Sequence, residues 1–175
     1  MNEQQAIELL KKYSSDDGAF KKVLAHVQAV KKAALRIADR IPGTDKEFIA
    51  TASILHDIGR FQFPPGSKNA IQHGIKGAEI LRKEGFPKHA LVAERHIGVG
   101  ISRKDIREQN LPLPDKDFLP ISKEEKIIAH ADNLIFGDKE GTLQMVIDRF
   151  RMELGKEYAE RVKRLAGEVE GWQRD

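Results

Sequence analysis

Phe48-Ile49-Ala50-Thr51-Ala52-Ser53-Ile54-Leu55-His56-Asp57-Ile58-Gly59 is the stretch on which the reading of this chain turns. An apolar, small-residue helix runs into a histidine and an aspartate side by side, and a glycine follows. Neighbouring helix positions project about 100° apart and do not face each other. One metal ion at the helix end can still be reached by both His56 and Asp57 if Gly59 lets the backbone turn away there. Ala52 and Ser53, one turn earlier, leave room for a close neighbour. A charged Asp and a His at the inner end of so apolar a helix are costly unless paired or bound to a cation.

Working outward, period-3.6 patterns recur along the chain and no clean period-2 run stands between turn residues. Residues 3–13 read as a short leading helix, and Ser14-Ser15-Asp16-Asp17-Gly18 breaks it, with Ser15 or Asp16 as the next N-cap. A long amphipathic helix over 18–40 carries His26 among Val23, Val27 and Val30. Thr44 and Glu47 fit a capping box opening the helix 45–58. Two prolines and two glycines make 59–68 a loop, and helices follow over 69–84 and 87–97. The segment 98–121 is the least regular, with room for a short helix from Ser102 to Gln109. Ser122 and Glu125 open a helix over 122–137 that bears Asp132, and residues 142–170 read as one long, charged amphipathic helix. The expectation is an all-α, single-domain helical bundle over residues 1–175, with a core at about 18–140 and the C-terminal amphipathic helix at about 142–170.

Composition narrows the chemistry. The chain has no cysteine, so thiolate metal sites and disulfides are excluded, and any metal site is built from nitrogen and oxygen. Those ligands suit Fe, Mn, Zn, Co or Ni, with Mg also possible. Charged residues make up 33% with a net charge of +3, and acidic and basic residues interleave without a basic tract. A nucleic-acid footprint is therefore not expected. No apolar run approaches the roughly 18 residues of a membrane span. The start, Met1-Asn2-Glu3-Gln4-Gln5, lacks a secretory pattern, which predicts a cytoplasmic protein.

The remaining candidate ligands are His26, His73, His96 and Asp132, each inside its own helical stretch. His26, His56, Asp57 and Asp132 suffice for one octahedral ion with two open positions. Adding His73 and His96 would make a second, with Asp57 bridging the pair; alternatively, those two histidines bind substrate phosphate or pack nearby. His89, at a helix start, reads as a surface residue, and His130 points away from Asp132. Arg60 is the best phosphate-binding candidate because it follows the His-Asp pair and a guanidinium suits phosphate. Lys76 and Arg95 are weaker substrate-binding candidates, and Arg103 and Lys104 lie in the segment 98–121, which could close over the site as a lid.

This order of His, His-Asp, His, His and Asp resembles the HD superfamily of metal-dependent phosphohydrolases, in the branch with an HDIG signature and of the small stand-alone archaeal or bacterial type. The likeness covers roughly residues 20–140 and includes Gln72-His73-Gly74-Ile75-Lys76-Gly77-Ala78 and Ala131-Asp132-Asn133-Leu134. It implies a helical bundle and one or two divalent metals on His26, His56, Asp57, His73, His96 and Asp132. Asp57 and Arg60 would be catalytic, acting on a small phosphorylated substrate such as a nucleotide or related phosphate mono- or diester through a metal-activated water. Gly98-Val99-Gly100 stands where cyclic-dinucleotide relatives carry a GYP signature, which disfavours cyclic di-GMP. A metal-containing nucleotide sensor, or a partner-binding module with little turnover, is the alternative. The C-terminal helix could form a homodimer interface or pack on its own domain.

Overall fold

Helix α3 (Lys46–Leu55) is enclosed: every residue from Ile49 to Leu55 is buried, as a helix apolar all round demands. In this computed structural model, which describes residues 1–67 and 69–173, two cores meet across it. On one side Ile49 and Ala52 pack with Val30, Ala34, Ile127 and Ile128 from helices α2 (Asp17–Ala38) and α7 (Lys123–Leu134). On the other, Ile54 and Leu55 meet α1 (Glu3–Lys12), α4 (His73–Lys83) and α5 (Pro87–Arg95) through Leu10, Leu81 and Ala93. Each fully buried aliphatic side chain here contributes about 1.5–3 kcal/mol relative to exposure.

The helix starts follow capping chemistry. Asp16 accepts from the Ala19 amide at 2.8 Å and opens α2. At α3 the cap is Asp45, accepting from Phe48 N–H at 2.9 Å, rather than Thr44. The Thr44 hydroxyl turns back to the carbonyls of Ala38 and Ile41 at 3.3 and 3.1 Å, closing the preceding turn. Ser122 caps α7, but the expected box is half made: Glu125 accepts from the Ile121 amide and from Arg95 instead.

The structure departs from the sequence expectation in four places. The loop after Asp57 begins as a 3-10 turn over Ile58–Phe61, and a second precedes α4 at Ala70–Gln72; Lys68 lies outside the described residues. Helix α7 stops at Leu134, and a short hairpin follows, β1 (Ile135–Phe136) against β2 (Lys139–Glu140), turning through Gly137 at φ +69°. The segment 98–121 is a packed layer, not an open loop. It holds the short helix expected there, α6 (Arg103–Glu108), and beyond that an antiparallel bridge between Ile101 and Phe118, over a small core with Ile106. The long C-terminal helix is two, α8 (Leu143–Leu154) and α9 (Lys156–Gly171), broken at Gly155 with φ +99° and ψ 176°. That conformation is open to glycine almost alone.

Helices α8 and α9 fold onto each other through Val146, Phe150, Ala159 and Val162. Farther along α9, Leu165 and Val169 join the core around α3. No described helix is long and apolar enough to cross a membrane.

Candidate metal centre

His56 is the C-cap of α3 and Asp57 the residue after it, both buried where the two cores meet. Gly59 does not serve as the turn that the sequence suggested, because its φ is not positive. Its role is close approach: a Cβ there would sit 2.0 Å from the His73 carbonyl oxygen and 2.7 Å from Gly77 N. The bare backbone lets α4 lie against the 3-10 turn and brings His73, its first residue, beside Asp57. His96 closes α5, His26 projects from the middle of α2, and Asp132 from α7.

All four imidazoles are held in the same way. The Nδ1–H groups of His26, His56, His73 and His96 donate to the carbonyls of Gly137, Ser53, Ala70 and Ala93 at 2.6, 2.7, 2.6 and 2.8 Å. A carbonyl only accepts, so the proton of each neutral ring is on Nδ1 and Nε2 presents a lone pair. Those lone pairs converge on two carboxylates. Asp57 divides its oxygens: Oδ1 lies 3.1 Å from His73 Nε2 and 3.4 Å from His96 Nε2, while Oδ2 lies 3.6 Å from His26 and 3.9 Å from His56. Asp132 Oδ1 completes the second group, 3.0 Å from His26 Nε2 and 3.5 Å from His56 Nε2.

Lone pairs aimed at carboxylates repel unless a proton or a cation lies between them. His56 Nε2 is fully buried with no hydrogen-bond partner, and the Nε2 atoms of His73 and His96 face each other at 3.1 Å. Orphaned, convergent nitrogen and oxygen donors of this kind fit a divalent cation. Proton affinities reflect the same crowding. Burial opposes a charge on His26, yet the Asp132 hydrogen bond and the charges of Asp132 and Asp57 lift it to about 9. Burial instead drives His96 down to about 4. Asp57 and Asp132 sit well below the ordinary carboxylate range, because the histidines around them outweigh the cost of burial. Three overlapping ligand groups result: His26 with His56 and Asp57, His56 with His96 and Asp132, and Asp57 with His73 and His96.

His26, His73, His96 and Asp132 of the cluster line a cleft of about 440 Å³, together with Arg60, with Ile97, Val99 and Ile101, and with Arg149, Phe150 and Tyr158.

The family model for the HD domain matches residues 23–137, more than half of the chain and the whole span from His26 to Asp132. The chain belongs to the HD-domain family. It is 44% identical over 163 residues to an uncharacterized protein of Methanocaldococcus jannaschii, covering 90% of this chain and 89% of that one. It is 38% identical over 169 residues to a tRNA (cytidine(56)-2'-O)-methyltransferase of Picrophilus torridus, covering 96% of this chain and 46% of the relative. A protein of the same description from Thermoplasma volcanium is 38% identical over 165 residues, 94% of this chain and 45% of that one. The chain thus spans a little under half the length of these two relatives. In structure it resembles the HD domain of the L. monocytogenes phosphodiesterase PgpH, with a TM-score of 0.55 at 16% identity, over 95% of this chain and 97% of that one. The same domain in complex with cyclic-di-AMP gives the same score. At that identity the likeness shows the fold.

Within this HD domain the six residues named from the sequence come together, and Arg60 lies beside them, its Nε 3.2 Å from Asp57 Oδ1. Lys76 and Arg95 are not brought to the cleft. Lys76 pairs with Glu79 and faces a separate depression with Gln62 and Pro114. Arg95 is next to His96 in sequence but turned away, with both Glu125 oxygens at 3.2 and 3.1 Å tying α5 to α7. Arg103 and Lys104 are exposed and do not line the cleft. His89 is not on the surface: it is half-buried, edge-on to Phe48 and Phe86, with Nε2 3.0 Å from the Thr51 hydroxyl. His130 is buried away from the cluster, and burial lowers its pKa.

Sequence reasoning missed the upper wall. Asp105 is buried and held far below the usual carboxylate range. Its burial is outweighed by Arg161 at 2.7 Å, by Ser102 and by the Tyr158 hydroxyl at 2.8 Å. This knot fastens α6 to α9 and makes the segment 98–121 a fixed wall. The spacing of Ser102 and Asp105 announces a capping box, but nothing in it announces a buried ion pair with Arg161. Asn133, adjacent to Asp132, donates to the Gly98 carbonyl at 2.7 Å and ties α7 to the turn after His96.

Proposed function

We propose that this protein is a metal-dependent phosphohydrolase that acts on a nucleotide or related phosphate ester. The observation carrying this reading is the division of Asp57, one oxygen toward His73 and His96 and the other toward His26 and His56, with each of the four rings turned by its Nδ1–carbonyl hydrogen bond so that Nε2 faces the carboxylates. Such a donor set suits one or two divalent cations, which would be held by His26, His56, Asp57 and Asp132 and by His73 and His96 beside Asp57. Divalent ions held there would act as Lewis acids, polarising phosphoryl oxygens and acidifying water. Asp57, an acceptor only, orients the attacking water. Arg60 reaches from the same helix end and can take a non-bridging phosphoryl oxygen in its guanidinium fork while its Nε holds Asp57 in place. The fixed wall built by α6 keeps bulk water from one side of the reacting group.

The family supports this reading, and so does a structural relative named a phosphodiesterase. Methyl transfer, named for two relatives, is not proposed, because the chain matches under half of each.

The test is turnover of p-nitrophenyl phosphate, bis-p-nitrophenyl phosphate and a nucleotide panel by protein purified without chelators and loaded with Mn or Fe. Hydrolysis that falls on the order of 100-fold or more in Asp57→Ala is the expected outcome. Full metal occupancy with no turnover of any ester would replace the enzyme with a nucleotide-binding sensor or partner-binding module.

A further inference from the structure

Arg149 of α8 stands on the cleft wall built by the C-terminal helix pair. Its guanidinium carbon lies 4.8 Å from the centroid of the Phe136 ring and 5.2 Å from that of Phe150. Stacking of this kind fixes the plane of the group and leaves the N–H edge free. Of the other arginines, Arg60 lies beside the cluster with its Nε on Asp57, while Arg95 is paired with Glu125 and Arg161 with Asp105, and neither of these last two arginines lines the cleft. Arg149, half-buried, has no acceptor or carboxylate partner among the described residues.

Its platform is also in register with the cation cluster. The Phe150 ring lies so close to Gly98 that a Cβ there would meet it at 3.2 Å, and the Gly98 carbonyl is held by Asn133, beside Asp132. Arg149 thus lines the same cleft as His96 and Asp132, on the helix whose Phe150 packs against the turn after His96. Between the two ends, Ile97, Val99 and Ile101 offer an apolar wall for a sugar or base. A free, flattened guanidinium fork in a cleft is built for a bidentate oxyanion.

We propose that Arg149 anchors a second phosphate, so that this HD domain selects phosphoesters bearing two phosphate groups, one at the cation cluster and Arg60 and one at Arg149. The first of these positions rests on the phosphohydrolase reading; the second rests on the geometry of α8. A cleft of about 440 Å³ is of the size that takes a nucleotide-sized ligand.

The test is calorimetric binding of AMP, ADP, adenosine 3′,5′-bisphosphate and ribose 5-phosphate to Mn-loaded protein, to Arg149→Gln and to Arg149→Lys, with helicity checked by circular dichroism. Wild type should bind at least one two-phosphate probe about tenfold more tightly than AMP. Arg149→Gln should erase that preference, and Arg149→Lys, which keeps the charge but not the fork, should retain part of it. Equal losses for AMP and the two-phosphate probes in both variants, or no preference in wild type, would overturn the proposal. So would a loss that tracks AMP over ribose 5-phosphate, which would mean that the guanidinium stacks on the base. Hydrolysis of the ester and nucleotide panel reports separately on the enzyme: no turnover of any member with an intact two-phosphate preference sinks the phosphohydrolase reading and leaves Arg149 as an anchor, and turnover without the preference does the reverse.

Discussion

Each imidazole of the cluster is aimed by a main-chain carbonyl, so the site's geometry is set by where helices start and stop rather than by a shell of side chains. His73 stands at the first residue of α4 and His96 at the C-cap of α5, and each reaches back three residues for its carbonyl. Removing one ring should therefore leave the others in place. His73→Ala should lower the metal content measured by elemental analysis from about two ions per chain to about one, and Asp57→Ala should weaken both. An unchanged stoichiometry in His73→Ala would place that ring outside the metal shell. At this scale His26, His56, Asp57 and Asp132 could be picked from the sequence because each is a polar group among apolar helix residues, where burial without a partner is costly, whereas His73 and His96 rested on the family resemblance. Arg149 and Asp105 could not, since each sits among ordinary charged residues of an amphipathic helix. Proximity in sequence misled for Arg95: one residue from His96 is about 100° around the helix, which aims it at Glu125.

Two glycines act at the level of elements, for different physical reasons. Gly59 is a contact glycine, with no space for a Cβ against α4. Gly155 is a conformational glycine, with φ +99° and nothing within 4 Å of the place a Cβ would take, so only the backbone objects to replacement. Gly155→Ala should cost about 1–3 kcal/mol in urea denaturation and leave metal content unchanged. Gly59→Ala should cost a similar amount, about 1–3 kcal/mol, from overpacking and also push His73 away from Asp57, lowering metal content. If Gly59→Ala retained full occupancy, close approach would not be what positions His73. The broken C-terminal helix was illegible because the period of 3.6 runs straight through the break. Met145 and Leu154 read as apolar-face residues, yet they are 50% and 46% exposed, while Phe150, Val162 and Val169 are buried. Periodicity reports a helix-forming pattern; it does not report that the chain reverses between two compatible halves.

The all-α architecture was legible across the whole molecule, because the end-to-end helical period leaves few ways to bury so many faces. What it did not carry was which histidines the packing would swallow. His89, at the start of α5, is enclosed by Phe48 and Phe86, and burial holds it down to about 4, below the roughly 6.5 of an unfolded histidine. Between those values the unfolded chain binds a proton at this residue that the folded protein refuses. Stability therefore falls as pH drops from about 6.5 toward 4, and is insensitive to His89 above that window. The cluster histidines titrate too, so the clean measurement is a difference. His89→Gln should be less stable than wild type at pH 7, having lost the ring's contacts with both phenylalanines. The gap should close by about 1–2 kcal/mol at pH 4.5, where wild type bears the proton penalty and the variant does not. A gap that stays constant from pH 7 to pH 4.5, measured by urea denaturation, would mean that His89 can take up its proton inside the fold, and that the packing around it yields.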